Sequence, residues 1–144
     1  MIRHAGLLAL PWRGGWRGVL IEGPSGSGKS DLALRALAEG FRLVADDRVL
    51  VWASGGRPWG RAPDPLAGLM ESRGLGVLPV ATLSFAPIVL AIRCEASPEA
   101  VDRFPAGETV DVAGFAVPLR PLWPFDPAAP AKLRRSIEHL GADH

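Results

Sequence analysis

With 144 residues, 48% of them hydrophobic, and a formal net charge of +1, the chain fits one compact domain able to bury a real core. Interspersed Arg, Asp and Glu leave no basic block to neutralise a run of phosphates, which argues against nucleic acid as a partner. Cys94 is the only cysteine, excluding a disulfide framework and a thiolate zinc cluster, and no stretch approaches the roughly 18 to 20 apolar residues of a membrane span, so no membrane partner and a cytoplasmic location are expected.

In chain order, residues 3–10 and 16–22 are short apolar runs separated by Pro11, Trp12, Arg13, Gly14 and Gly15, the pattern of a hairpin. The opening run ends at Pro11 without a small-residue cleavage site, unlike a signal peptide. After a glycine-rich stretch, Leu32, Leu34, Ala36 and Leu37 predict a short helix, with Asp31 favourable in its first turn and Gly40 as its stop. FRLVADDRVLVWA predicts two strands interrupted by Asp46 and Asp47, then a turn through Ser54–Pro58. Residues 60–82 show neither helical nor strand period and read as a functional loop with a helical turn near Leu66 to Met70. PIVLAIRC, residues 87–94, predicts a buried strand. Ser97 and Pro98 suit the start of a helical turn, and residues around Gly114 suit one or two strands. Leu133, Ile137 and Leu140 predict a last helix over 127–140 behind an Asp126 cap. The order implies a single α/β domain, 1–144, with a mixed sheet. The tryptophans at 12, 16, 52, 59 and 123 read as core and interface packing, with Trp12 and Trp16 near a turn where they could mark a contact.

The sharpest signal is GPSGSGKS, which satisfies G-x-x-x-x-G-K-[ST] between a predicted strand and a predicted helix. Gly23, Pro24, Ser25, Gly26, Ser27, Gly28, Lys29 and Ser30 are therefore the expected nucleotide-binding residues. Glycines let backbone N–H groups converge on phosphate oxygens, Lys29 reaches the β- and γ-phosphates, and the Ser30 hydroxyl offers itself to Mg²⁺. In a chain whose only other lysine is Lys132, Lys29 reads as a chemical requirement, because a compact ammonium fits where a planar guanidinium does not. Asp46 and Asp47 end an apolar segment some sixteen residues further on. One carboxylate could hold Mg²⁺ and the other accept a proton from an attacking hydroxyl, provided the strand ends or the backbone turns there. These residues predict nucleotide-dependent phosphotransfer.

GPSGSGKSDLAL, RLVADDRV and GLMESRGLGV, in this order and spacing over residues 23–77, together resemble the catalytic domain of the HPr kinase/phosphorylase family. The third element is the family-specific one. The resemblance implies a P-loop domain of the HPr-kinase/PEP-carboxykinase type that uses ATP and Mg²⁺ to phosphorylate a serine of a small HPr-like phosphocarrier protein of the phosphotransferase system. It implies the reverse phosphorolysis with inorganic phosphate and assembly into a hexamer. By the same resemblance Asp46 is the base that deprotonates the acceptor serine, Asp47 its acidic companion, and His4 matches a family histidine beside it. Glu71 and Arg73 fall in the signature loop near the metal and phosphates, where Glu71 is a metal ligand and Arg73 a catalytic residue; Arg73, or an arginine from a neighbouring subunit, could neutralise charge on the transferred group.

The chain resembles a short form that lacks the family's additional N-terminal domain. Arg120 and Pro121 keep a family-like fragment, but the Gly-Arg-Asn expected after it is absent, a departure that bears on the reverse reaction. Two other functions remain open on these residues: a small-molecule kinase, distinguished by its acceptor, and a nucleotide-binding regulatory module without catalysis.

Overall fold

Alternation along two neighbouring segments sets the architecture. Leu8, Leu10, Val19 and Ile21 point to one face, Leu7, Ala9 and Leu20 to the other, and all are buried. These segments are β2 (Ala5–Trp12) and β3 (Gly15–Glu22), paired antiparallel across Arg13 and Gly14. Both turn residues have positive φ, 48° and 79°, which matches the right-handed twist of the flanking strands. The computed structural model describes residues 1–64, 68–72, 74–102 and 107–140.

The remaining strands are β1 (Ile2–Arg3), β4 (Arg42–Ala45), β5 (Val49–Ser54), β6 (Arg57–Arg61), β7 (Leu69–Ser72), β8 (Gly76–Pro79), β9 (Ala86–Cys94), β10 (Thr109–Val112) and β11 (Phe115–Leu122). A nine-stranded mixed sheet runs β1-β5-β6-β9-β3-β2-β4. One edge of β9 belongs to β3 and the other is shared: its first two residues pair with β6 and its last four with β11, which carries β10. β9 is buried on both faces, as its unbroken apolar run requires.

Two helices cover one face of the sheet, α1 (Lys29–Ala36), extended by a 3-10 turn over Leu37–Glu39, and α2 (Ala129–Leu140). Leu32 and Ala36 from α1, with Ala129, Leu133 and Ile137 at helical spacing from α2, join Leu8, Val19 and Ile92 in one cluster. Gly40 ends the first helical segment at φ 93°, and Asp126 accepts the Ala128 N–H at 2.9 Å ahead of the second. On the other face Leu7, Ala9 and Leu20 meet Val49 and Val51 of β5 and Val112 and Val117 of the β10–β11 hairpin. No helix among the described residues is long and apolar enough to cross a membrane.

Sheet polarity positions everything that follows. β9 and β11 run parallel to β3, and β4, antiparallel to β2, points the same way. The C-terminal ends of β3, β4, β9 and β11 and the beginning of β2 therefore share one end of the sheet, where an open α/β sheet places its ligands.

The segment 60–82 differs from its expectation. β7 and β8 form a hairpin whose turn includes Gly74 at φ 87°, with Gly76 at φ 83° opening β8. Residues 69–70 are strand rather than helical turn, whereas residues 65–67 lie outside the described residues. Met70 anchors β7 in the cluster that holds Leu32, so packing rather than local period fixes this hairpin. Ser97 precedes a 3-10 turn over Pro98–Ala100 without donating or accepting a side-chain cap bond.

Candidate active site

The phosphate loop leaves the end of β3 and enters α1 directly. Gly26 and Gly28 lie at φ 81° and 101°, and the Ser27 N–H donates to the Pro24 carbonyl at 3.1 Å, closing the turn. Gly28 opens α1 with no side-chain cap, so first-turn N–H groups are left for an anion, and the helix dipole favours negative charge there. Lys29 folds back across the loop, its Nζ donating to the Gly23 carbonyl at 2.6 Å.

Close packing explains two of the glycines. A Cβ on Gly23 would stand 2.7 Å from Ser27 Oγ and 2.9 Å from Cys94 Cβ, and one on Gly28 would stand 2.8 Å from Phe125 Cζ. Cys94, at the end of β9, thus lies against the loop, and the segment after β11 bears on its other side. Burial pushes the Cys94 thiol up to about 11, partly opposed by the nearby Lys29 charge. Arg35 of α1 ties the helix to that last segment, donating to the carbonyls of Pro124 and Asp126 and pairing with Asp31.

The acidic pair arrives from the end of β4. Ser30 Oγ donates to Asp46 Oδ1 at 3.1 Å, joining the loop to the first aspartate. Asp47 sits at φ 69°, and the Arg48 N–H donates to the Asp46 carbonyl at 2.8 Å, so the chain makes a γ-turn centred on Asp47. This turn ends the strand alternation that would otherwise send the two carboxylates to opposite faces. His4 occupies the bend between β1, which pairs with β5, and β2, which pairs with β4. The β4–β5 turn therefore passes beside it, and His4 Nε2 lies 3.3 Å from Asp47 Oδ1. Both side chains are more than half exposed, so the contact adds little stability and leaves the imidazole open to solvent and substrate.

The structure thus brings together the loop residues Gly23–Ser30, Asp46, Asp47 and His4. Glu71 lies on β7 and its side chain is outside the described portion; Arg73 lies outside the described residues altogether. Among the described residues no three His, Cys, Asp or Glu side chains cluster as a metal cage. The Ser30 hydroxyl at the end of the loop is instead an oxygen that fits Mg²⁺, which takes few protein ligands beside substrate phosphates and water. Three contributors were missed from sequence: Cys94 beneath the loop, Phe125 over Gly28, and Arg35. Only the parallel placement of β3, β9 and β11 reveals them; the position of Cys94 at the end of an apolar strand was the sole local hint.

Residues 15–90 match the family model for the HPr Serine kinase C-terminal domain. The HPr kinase/phosphorylase of Streptococcus uberis is 42% identical over 112 residues, covering 70% of this chain and 36% of that protein. That of Streptococcus thermophilus is 51% identical over 67 residues, covering 46% of this chain and 22% of that protein. The chain thus spans between about a fifth and about a third of the length of the curated relatives it matches. In overall fold it resembles the Hpr(Ser) kinase/phosphatase from Coxiella burnetii, with a TM-score of 0.77, 23% identity, and coverage of 99% of this chain and 94% of that one.

Proposed function

Because the chain belongs to the HPr Serine kinase C-terminal domain family, we propose that residues 1–144 act as a catalytic P-loop domain transferring the γ-phosphoryl of ATP to a serine of a small HPr-like phosphocarrier protein. The observation that carries this reading is the 3.1 Å contact between Ser30 of the phosphate loop and Asp46, which sets a carboxylate beside the place where the terminal phosphate would end.

In this reading Lys29 and the first-turn N–H groups of α1 bind the phosphates, and Ser30, with Glu71, holds Mg²⁺. Magnesium there supplies neutralisation of charge on the phosphate oxygens. Asp46 takes the proton of the acceptor hydroxyl as the seryl oxygen bonds to the γ-phosphorus and the bridging oxygen leaves with ADP. Asp47, held toward the same end by the γ-turn and His4, raises the local negative potential and keeps the acceptor proton moving toward Asp46. Arg73 neutralises charge on the transferred group. The reverse reaction uses inorganic phosphate as acceptor, with Asp46 returning the proton to the seryl oxygen. A cytoplasmic setting and a hexamer complete the proposal.

The test is transfer of label from γ-labelled ATP with Mg²⁺ to the serine of an HPr-like carrier. Asp46→Asn is expected to lower transfer by roughly 10²- to 10⁴-fold while nucleotide affinity changes by less than about threefold. Nucleotide binding without transfer by the unaltered chain would instead assign the domain a regulatory, non-catalytic role.

A further inference from the structure

The end of the sheet opposite the phosphate loop holds a cavity of about 690 Å³, within the range of small-molecule sites. It is bounded by the β2–β3 turn, by β6 and by the segment 83–87 leading into β9. At strand rise, the length of β3 separates it from Gly23 by roughly 25 Å. It is therefore a different place from the site described above.

Its lining combines two chemistries. Arg13, Arg17 and Arg57 supply positive charge, and no Asp or Glu lies among the lining residues. The guanidiniums stand over indole faces: Arg13 and Arg17 lie 5.5 and 4.8 Å from the Trp12 ring, and Arg57 lies 5.5 Å from the Trp59 ring. A guanidinium stacked on a ring keeps its in-plane N–H groups pointing outward, pre-organised for a planar anion such as a carboxylate or sulfonate. Beside the charges, Trp59 and Phe85 form a tilted aromatic pair with centroids 5.9 Å apart, and Phe85 is half exposed. Such an exposed pair offers apolar area and ring edges to a flat body.

We infer that this cavity is a second ligand site, one that takes a small flat aromatic or heteroaromatic acid, its anionic group on Arg13 and Arg57 and its ring against Trp59 and Phe85. Its three-sided enclosure suits a small molecule better than an extended peptide. Arg13 lies in the β2–β3 turn and Arg57 opens β6, and both are exposed, so they can be changed without disturbing the core.

The experiment titrates the full chain with 1-anilinonaphthalene-8-sulfonate, following probe emission and tryptophan quenching, with uncharged N-phenyl-1-naphthylamine alongside. The expected result is saturable binding at one site, at least tenfold weaker for the uncharged probe. Combining Arg13→Ala with Arg57→Ala should weaken sulfonate binding by at least tenfold, whereas Lys29→Ala should leave it unchanged. Thermal melting of the double variant checks that the fold is kept, and its Mg²⁺-ATP affinity should match that of the unaltered chain. Equal binding of both probes, non-saturable binding, or sulfonate binding indifferent to the two arginines in a folded variant would each overturn the assignment.

Discussion

Cys94 shows how one side chain reports the seating of the phosphate loop. Its thiol is pushed from 9.0 up to about 11 by burial at the end of β9 against Gly23, partly opposed by Ser27 and Lys29, so the folded chain keeps a proton that the unfolded chain loses first. Stability from this group is therefore complete below pH 9 and falls as pH rises from 9 to 11, by about 2 to 3 kcal/mol in total. Urea unfolding at pH 8, 9.5 and 10.5 should show that slope, and Cys94→Ala should remove it while slopes from other groups persist. The same residue marks a limit of local reading. As a letter in the chain it suggested only a reducing environment, because nothing near it in sequence announces that β9 ends beneath a loop some seventy residues earlier. Lys29, Ser30 and the glycines were legible because phosphate binding depends on backbone shape, which a short motif encodes almost completely. Asp46 and Asp47 were legible as candidates; the γ-turn that reconciles their directions was not, since an aspartate carries no signal of positive φ as strong as a glycine does.

Among the elements, α1 is short for a helix that must hold a binding loop, and an isolated helix of eight residues is not stable in water. Its support is tertiary. Leu32, Ala33 and Ala36 bury one face, and Arg35 fastens the other side to the carbonyls following β11. Arg35→Ala should destabilise the domain by about 1 to 3 kcal/mol, through charge-assisted bonds lost and carbonyls left without their donor. It should also lower nucleotide affinity, measured by calorimetry at a temperature where the variant is folded. Lost stability with unaltered affinity would show that the tether ends at the helix and does not reach the loop. Strands with clear alternation or unbroken apolar runs, β2, β3 and β9, followed from sequence to within a few residues, and so did both helices. The β7–β8 hairpin did not, because its four-residue strands are too short to show a period and are fixed by Met70 in the core and by glycine turns.

At the scale of the whole molecule, an α/β domain with a mixed sheet was readable from the order of elements, but neither its strand order nor the gathering of both helices on one face was. The neighbours of β3 are β2, adjacent in sequence, and β9, which is far away, and only the second brings Cys94 under the loop. Two candidate sites then occupy opposite ends of the same strand: the glycine-rich loop at Glu22 and the arginine-tryptophan cavity at Gly15. The pairing of β3 with β9 also has a kinetic side. Gly18 faces Ile88, seventy residues along the chain, so a loop of that length must close before β3 gains its second partner. The phosphate-binding motif is local in sequence, yet its floor and its lid of Phe125 arrive only with the most distant contacts. In stopped-flow refolding, nucleotide binding should return with the slowest main phase, after most helical signal has recovered. A chain emerging from the ribosome would then remain unable to bind nucleotide until β9 had been made, however early its glycine-rich loop appeared.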